Sequence, residues 1–216
     1  MKQEKKGIAI FDFDGTIIKK DSFLEFICFT HGSVKLYYCY FYYSFYVLLY
    51  FLKLYPNSKL KELFFGFFYK GFQEKKLNKL GDEFSIQKID SFFNEGASKV
   101  LKWHQEKSHD ILILTASSDI WIGEWCRRNG YNLINTKFEV KNGVFTGKID
   151  GKNCYGKEKL KRIENLIKQY DFKQTYGYGD SNADLHFLKK MHFMHYGPLK
   201  DKIEYKINNN EDDFQN

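Results

Sequence analysis

A chain of 216 residues, 28% of them charged and only two of them proline, can bury one substantial core with room for a small inserted module, and is neither disordered nor collagen-like. Its net charge of +7 suits anionic partners such as acidic lipid headgroups or phosphorylated small molecules, and no nucleic-acid-binding motif accompanies that charge. Cys28, Cys39, Cys126 and Cys154 are scattered with no Cys-x-x-Cys spacing, so free thiols of a reducing compartment are expected rather than zinc ligands or disulfides.

The basic N-terminus leads into an apolar run too short for a signal-peptide core, which predicts a cytoplasmic location. Ile8-Ala9-Ile10-Phe11 then reads as a short buried strand that delivers Asp12 and Asp14 at its carboxyl end. Residues i and i+2 of a strand point the same way, so two like charges there need a cation or a break. Gly15 offers the break, and a hard divalent cation such as Mg²⁺ would offset the charge. Taken alone, the pair is equally a solvated strand end with two turn-forming residues.

Asp21-Ser22 is a plausible cap for a helix carrying Phe23, Leu24, Phe26, Ile27 and Phe29, which ends at His31-Gly32. Residues 36–52 then carry no charge, with Lys35 and Lys53 as brackets; 17 residues is the lower edge of a bilayer span. Seven of them are tyrosines, which prefer the wet boundary of a membrane, so a helix lying in the interface fits better than a spanning one. An internal helix of a small bundle, or a subunit contact, explains the run as well. Pro56-Asn57-Ser58 breaks the pattern. Residues 60–72 resume it with Leu63, Phe64, Phe65, Phe67, Phe68 and Phe72 among Lys59, Lys61, Lys70 and Lys75, a basic amphipathic region suited to anionic lipid or simply a solvated basic face. Peripheral membrane contact through residues 36–72, at the inner face of the membrane, is therefore one expectation.

Residues 19–95 read as all-helical, whereas strand and helix alternate after about residue 108. The contrast predicts an inserted helical cap at 19–95 and an α/β core formed by 1–18 and 96–216. Residues 96–107 return the chain to the sheet as a helix. His104 and His109 lack a metal-ligand spacing and are expected at the surface. Ile111-Leu112-Ile113-Leu114 is the strongest strand, of the kind parallel sheets bury on both faces. It ends in Thr115-Ala116-Ser117-Ser118-Asp119 before a helix with Ile120, Trp121, Trp125 and Cys126; these small residues suit a phosphate oxygen or ordinary capping. Asn142-Gly143 predicts a hairpin that serves as scaffold or rim. Lys157 or Lys159 opens the next helix, where a cation sits badly against the positive dipole end unless an anion is near. Gly177-Tyr178-Gly179 leads a second acidic pair, Asp180 and Asp184, to a strand end, with Asp184 on the same side of the following helix. A last strand ends at Tyr196, and the polar tail from Asn208 is expected to fray.

Phe11-Asp12-Phe13-Asp14-Gly15-Thr16, Leu114-Thr115-Ala116-Ser117, a lysine near 159 and Gly179-Asp180-Ser181-Asn182-Ala183-Asp184 occur in the order of the four motifs of the haloacid dehalogenase superfamily, which the chain resembles over most of its length outside the insert. The resemblance implies a Rossmann-like three-layer α/β/α core with a mostly parallel sheet and an inserted all-helical cap. A cap placed soon after the first motif resembles subfamily IB, which includes phosphoserine phosphatase and the bacterial phosphatidylglycerophosphatase C type. Thr136-Lys137-Phe138-Glu139-Val140, Thr146-Gly147 and Cys154-Tyr155-Gly156 look closer to the latter, and Ser181 and Ala183 depart from the former's usual fourth motif.

The resemblance further implies that Asp12 attacks phosphorus to form an aspartyl phosphate and that Asp14 acts as acid and then base. Thr115, with Ala116 and Lys159, would hold the phosphoryl group. Mg²⁺ would be bound by Asp12, the Asp14 carbonyl and Asp180, with Asp184 in support. Lys159 is preferred to Lys157 because Ile163 and Leu166 then follow on the face packed to the sheet. The expected activity is a Mg²⁺-dependent phosphomonoesterase, with a lipid phosphate such as phosphatidylglycerophosphate as leading substrate. The alternatives are a cytosolic phosphatase of a small phosphorylated metabolite and a non-catalytic binding protein that keeps the fold.

Overall fold

The computed structural model describes residues 7–200 and 204–209; the basic N-terminal stretch and most of the polar tail lie outside the described residues. The β-rich apolar runs form the centre of one sheet. β1 (Ile8–Phe11) pairs in parallel with β2 (Asp110–Leu114) on one side and β6 (Thr175–Gly179) on the other. β3 (Asn132–Ile134) extends the first side, β7 (Phe193–Tyr196) the second, and the short antiparallel β8 (Lys206–Ile207) closes that edge. The order β3-β2-β1-β6-β7-β8 reverses direction at β1. In open sheets of this kind the crevice beyond the strands' carboxyl ends at the reversal is where ligands bind.

Alternation along the strands makes three layers. Ala9, Phe11, Ile111, Ile113 and Tyr178 face one apolar cluster, and Ile8, Ile10, Leu112 and Leu114 face another. The second cluster is covered by α8 (Lys157–Ile167) and α9 (Leu185–Leu188), through Ile163, Ile167, Phe187 and Leu188. The first is covered by α6 (Ala97–Glu106) and α7 (Asp119–Asn129) and runs on without a break into the helical stretch between β1 and β2.

That stretch contains α1 (Ser22–His31), α2 (Ser33–Tyr42), α3 (Ser44–Phe51), α4 (Asn57–Tyr69) and α5 (Glu74–Gln87). Asp21 caps α1 by accepting from the Leu24 amide at 2.9 Å. α5 lies directly on α7: a Cβ at Gly81 would stand 1.7 Å from the Ile120 carbonyl oxygen, so only glycine permits the contact. Asn142 and Gly143, both at positive φ, turn the hairpin of β4 (Lys137–Lys141) and β5 (Val144–Asp150). Its Phe138 stacks on Phe65 of α4 at 3.5 Å between centroids, so this scaffold ties the helical stretch to the core.

The structure corrects three local expectations. The uncharged run at 36–52 is two short helices that meet at Tyr43, and no helix among the described residues is long and apolar enough to cross a membrane. His104 is fully buried rather than at the surface, because it follows Val100 and Leu101 on the inward face of α6. Its Nε2 meets the Tyr178 hydroxyl at 2.8 Å and its Nδ1 meets Nδ1 of His109 at 2.8 Å. Burial, with His109 beside it, pushes its pKa down to about 3. Finally, Asp184 stands at the cap of the single-turn α9 rather than within a helix. The four cysteines are free thiols, as expected.

Candidate active site

The carboxyl ends of β1, β2 and β6 converge with the start of α8. The chain leaves β1 with the Asp12 amide donating to the Tyr178 carbonyl at 2.8 Å, so Asp12 still belongs to the sheet. Gly15, at φ +84°, then turns the backbone, and a Cβ there would lie 2.2 Å from Oδ2 of Asp180. A glycine at this position lets the Asp180 carboxylate lie against the first loop. Thr16 Oγ1 holds Asp180 Oδ1 at 3.2 Å, and Asn94 Nδ2 donates to the Thr16 carbonyl at 2.7 Å, fixing the loop from behind.

Lys159 is 3% exposed, and its Nζ lies 2.6 Å from Asp12 Oδ1 and 2.5 Å from Asp184 Oδ1. Lys157 is exposed on the first turn of the same helix, so geometry selects Lys159 of the two. Asp184 Oδ2 accepts from the Ser181 amide and hydroxyl at 3.0 and 2.6 Å, which locks the carboxylate that faces the lysine. Carboxylate oxygens of Asp12, Asp180 and Asp184 lie within 4.8 Å of one another. Hard oxygen donors this close, with one buried ammonium among three acids, fit a hard divalent cation such as Mg²⁺. Burial raises the Asp12 pKa to about 7, against the pull of Lys159, with the Asp184 charge adding to the rise. The same flanking acids and hydrogen bonds hold the Lys159 ammonium well above its ordinary range.

Asp14 turns away from this cluster. Its Oδ1 accepts from the Ser22 amide at 2.8 Å, and its Oδ2 accepts from the Ser117 hydroxyl. Trp121 Nε1 donates to Ser22 Oγ at 3.0 Å and Ser22 Oγ lies 2.8 Å from Ser117 Oγ, so the hydroxyl protons run in one direction, from Trp121 toward Asp14. Burial and then Asp21 raise the Asp14 pKa to about 6, while the two serines oppose the rise. Thr115 is buried at the end of β2, its Oγ1 accepting from the Ser117 amide at 3.0 Å. Ala116 presents its carbonyl to Lys61 Nζ at 2.7 Å.

Lys61, half-buried on α4, thus reaches from the helical stretch into the loop after β2; desolvation lowers its pKa while Asp21 and Asp14 oppose the shift. Beside it a cavity of about 150 Å³ is lined by Phe23, Leu24, Tyr40, Tyr50, Leu60 and Phe64, with Asp21 and Lys61 at its polar side. Sequence reasoning did not single out Ser22, Ser117 or Lys61. Ser22 read as part of a cap, Ser117 was one of several small residues, and Lys61 was one lysine among many around an apolar helix.

A family model of haloacid dehalogenase-like hydrolases matches residues 9–189, a span that holds every residue of this site. The chain belongs to that family. Among curated relatives of this haloacid dehalogenase-like hydrolase, protein CicA of Caulobacter vibrioides is 29% identical over 193 residues, covering 84% of the present chain and 81% of CicA. A solved Bordetella pertussis protein of unknown function shares the fold at a TM-score of 0.71 with 21% identity, covering 86% of each chain. A phosphoserine phosphatase solved as a phospho-aspartyl intermediate analogue matches at a TM-score of 0.59 with 19% identity, covering 87% of this chain and 84% of that one.

Proposed function

We propose that this chain is a Mg²⁺-dependent phosphomonoesterase working through an aspartyl phosphate on Asp12. The observation that carries the reading is the division of labour between the two aspartates of the first loop: Asp12 lies against Lys159 within the acidic cluster, whereas Asp14 hangs on a separate hydrogen-bond chain. A carboxylate oxygen of Asp12 bonds to phosphorus, the ester P–O bond breaks, and the departing alkoxide takes a proton from Asp14. Asp14, now a carboxylate, removes a proton from water; the water oxygen bonds to phosphorus and the Asp12–phosphorus bond breaks, releasing phosphate. A carboxyl group whose pKa is raised to about 6 serves both halves near neutral pH. Mg²⁺ held by Asp12, Asp180 and the Asp14 carbonyl, with Asp184 in support, would supply positive charge against the phosphoryl oxygens. Thr115, the Ala116 backbone and Lys159 hold those oxygens, and residues 19–95 act as the cap that admits the substrate. The phospho-aspartyl analogue of the structurally similar phosphoserine phosphatase supports the covalent step.

For the substrate, we favour a membrane-lipid phosphate such as phosphatidylglycerophosphate. The apolar cavity beside Asp21 and Lys61 supports an alcohol portion with apolar character next to the phosphate. A small metabolite, phosphoserine-like, is the second reading, supported by the phosphoserine phosphatase likeness. The test is a panel of soluble and lipid phosphomonoesters with Mg²⁺, with Asp12→Asn as control. Activity that survives Asp12→Asn removes the mechanism; efficient turnover of soluble esters with none of lipid phosphates in mixed micelles removes the lipid reading alone.

A further inference from the structure

The α2–α3 pair buries one edge and leaves the other bare. Leu36 and Cys39 are buried, and Tyr40 and Tyr43 pack on Phe64 of α4 at 4.9 and 6.2 Å between ring centroids. On the outer edge Val34, Phe41, Phe45, Leu48 and Leu52 are exposed, Phe41 at 79% and Phe45 at 64%, and Tyr38, whose ring also touches Phe67 of α4, is more than half exposed beside them. The seven exposed aromatic side chains of the pair are 38–79% exposed. At about 200 Å² per aromatic side chain they expose roughly 900 Å² in all, spread over both helices.

The charge around this face has one sign. No Asp or Glu occurs from residue 26 to residue 61. The acids on either side are already engaged, Glu25 with Lys20 at 2.8 Å and Glu62 with Lys59 at 2.9 Å. Lys35 and Lys53 stand exposed at the two ends of the stripe with no acidic partner among the described residues. A second copy of the chain would set lysine against lysine across such a face. An anionic bilayer supplies both complements: headgroups for the lysines, and an interfacial layer that takes phenyl and leucyl side chains while keeping tyrosine hydroxyls wet.

We infer that the outer face of α2 and α3 is a docking surface for an anionic lipid bilayer, on which the helices lie in the plane of the interface. The docking stands apart from the phosphatase reading. One consequence rests on that reading: Tyr40 and Tyr50, on the inner edges of the same helices, line the cavity beside Lys61, so a docked chain holds that cavity next to the lipid.

The experiment is flotation of the purified full chain with vesicles of phosphatidylglycerol and phosphatidylcholine, or of phosphatidylcholine alone. The chain is expected to float with the anionic vesicles, and less so as salt rises. Phe41→Ser, Phe45→Ser and Leu48→Ser combined should weaken partitioning by more than about tenfold. Lys35→Gln with Lys53→Gln should weaken binding to anionic vesicles by about tenfold and leave neutral ones unaffected. A Phe45→Trp reporter should shift to the blue when vesicles are added. Hydrolysis of a soluble ester by the triple variant should be unchanged, which separates failure of docking from failure of the phosphatase reading. Three outcomes overturn the inference: a chain that never floats, a triple variant that floats as well as the unaltered chain, and a dimer that the triple variant dissolves and that ignores vesicles.

Discussion

Replacing Lys159 with methionine removes the only ammonium bonded to the buried acids among the described residues. The side chain is 3% exposed and holds Asp12 at 2.6 Å and Asp184 at 2.5 Å, with Asp180 close by. Breaking a buried ion pair by deleting one partner costs about 3–5 kcal/mol, because the charge left behind is desolvated and unpaired. For a chain of this length that corresponds to a melting temperature lower by roughly 6–20 °C. The loss should be largest in EDTA. With Mg²⁺ in excess the same acids regain a counter-charge, the variant's site carries one more net negative charge than the parent's, and metal binding should stabilise the variant more than the parent. Lys157→Met, at an exposed position in the same turn, serves as control and should stay within about 0.5 kcal/mol of the parent. Scanning calorimetry of the three proteins with EDTA and with Mg²⁺ gives the comparison. Equal melting of the two variants, or a Lys159→Met deficit that Mg²⁺ leaves untouched, would refute the claim that Lys159 neutralises a metal-binding acidic cluster.

Asp14→Asn keeps the contacts to Ser22 and Ser117 in shape but cannot transfer a proton, so turnover of an alkyl phosphate should fall by about 10²–10⁴ while the circular dichroism spectrum stays unchanged. Lys61→Gln should raise KM for phosphate esters by about tenfold with a smaller change in kcat, read from steady-state kinetics, because a cation that reaches the β2 loop from α4 would bind the substrate's phosphate without entering the bond changes. His104 gives a pH dependence of stability. Its folded pKa, near 3, lies below its ordinary 6.5, so the unfolded chain binds the proton more readily; its stabilising contribution is complete above about pH 6.5 and is lost as pH falls toward 3, by about 2 kcal/mol at pH 5. Urea unfolding should show that extra acid loss in the parent and not in His104→Gln.

The placement of the candidate residues was legible where chemistry and strand pattern coincide. Asp12, Thr115 and Asp180 follow short apolar runs, and a strand end at a sheet reversal is a place the sequence can mark without tertiary knowledge. Lys159 was half legible, since Lys157 shares the first turn and only packing of Ile163 against the sheet turns one of the two inward. Ser22, Ser117 and Lys61 were not legible, because each is local capping or solvent chemistry until the helical stretch folds back on the β2 loop. His104 was misplaced for a different reason: the metal-ligand test looks for spacing, whereas Val100, Leu101 and His104 obey helical periodicity. The break at Tyr43 carries no glycine or proline to announce it.

Two carboxylates at i and i+2 of a continuing strand would share one face and one fate. Here the strand ends at Phe11, and the turn at Gly15 carries the following residues back toward the helical stretch, with an isolated bridge between Asp14 and Ile18. Asp12 keeps the sheet's direction and meets Lys159 and Asp184 from α8 and the β6 loop. Asp14, just before that turn, meets Ser22 at the start of α1 and Ser117 after β2. By starting at Ser22, the helical stretch holds the second carboxylate away from the first. Asp12 and Asp14, separated by one phenylalanine, are kept on different partners by where α1 begins, and Asp21, which caps that helix and raises the pKa of Asp14, couples the start of the helix to the acidity of that carboxyl group.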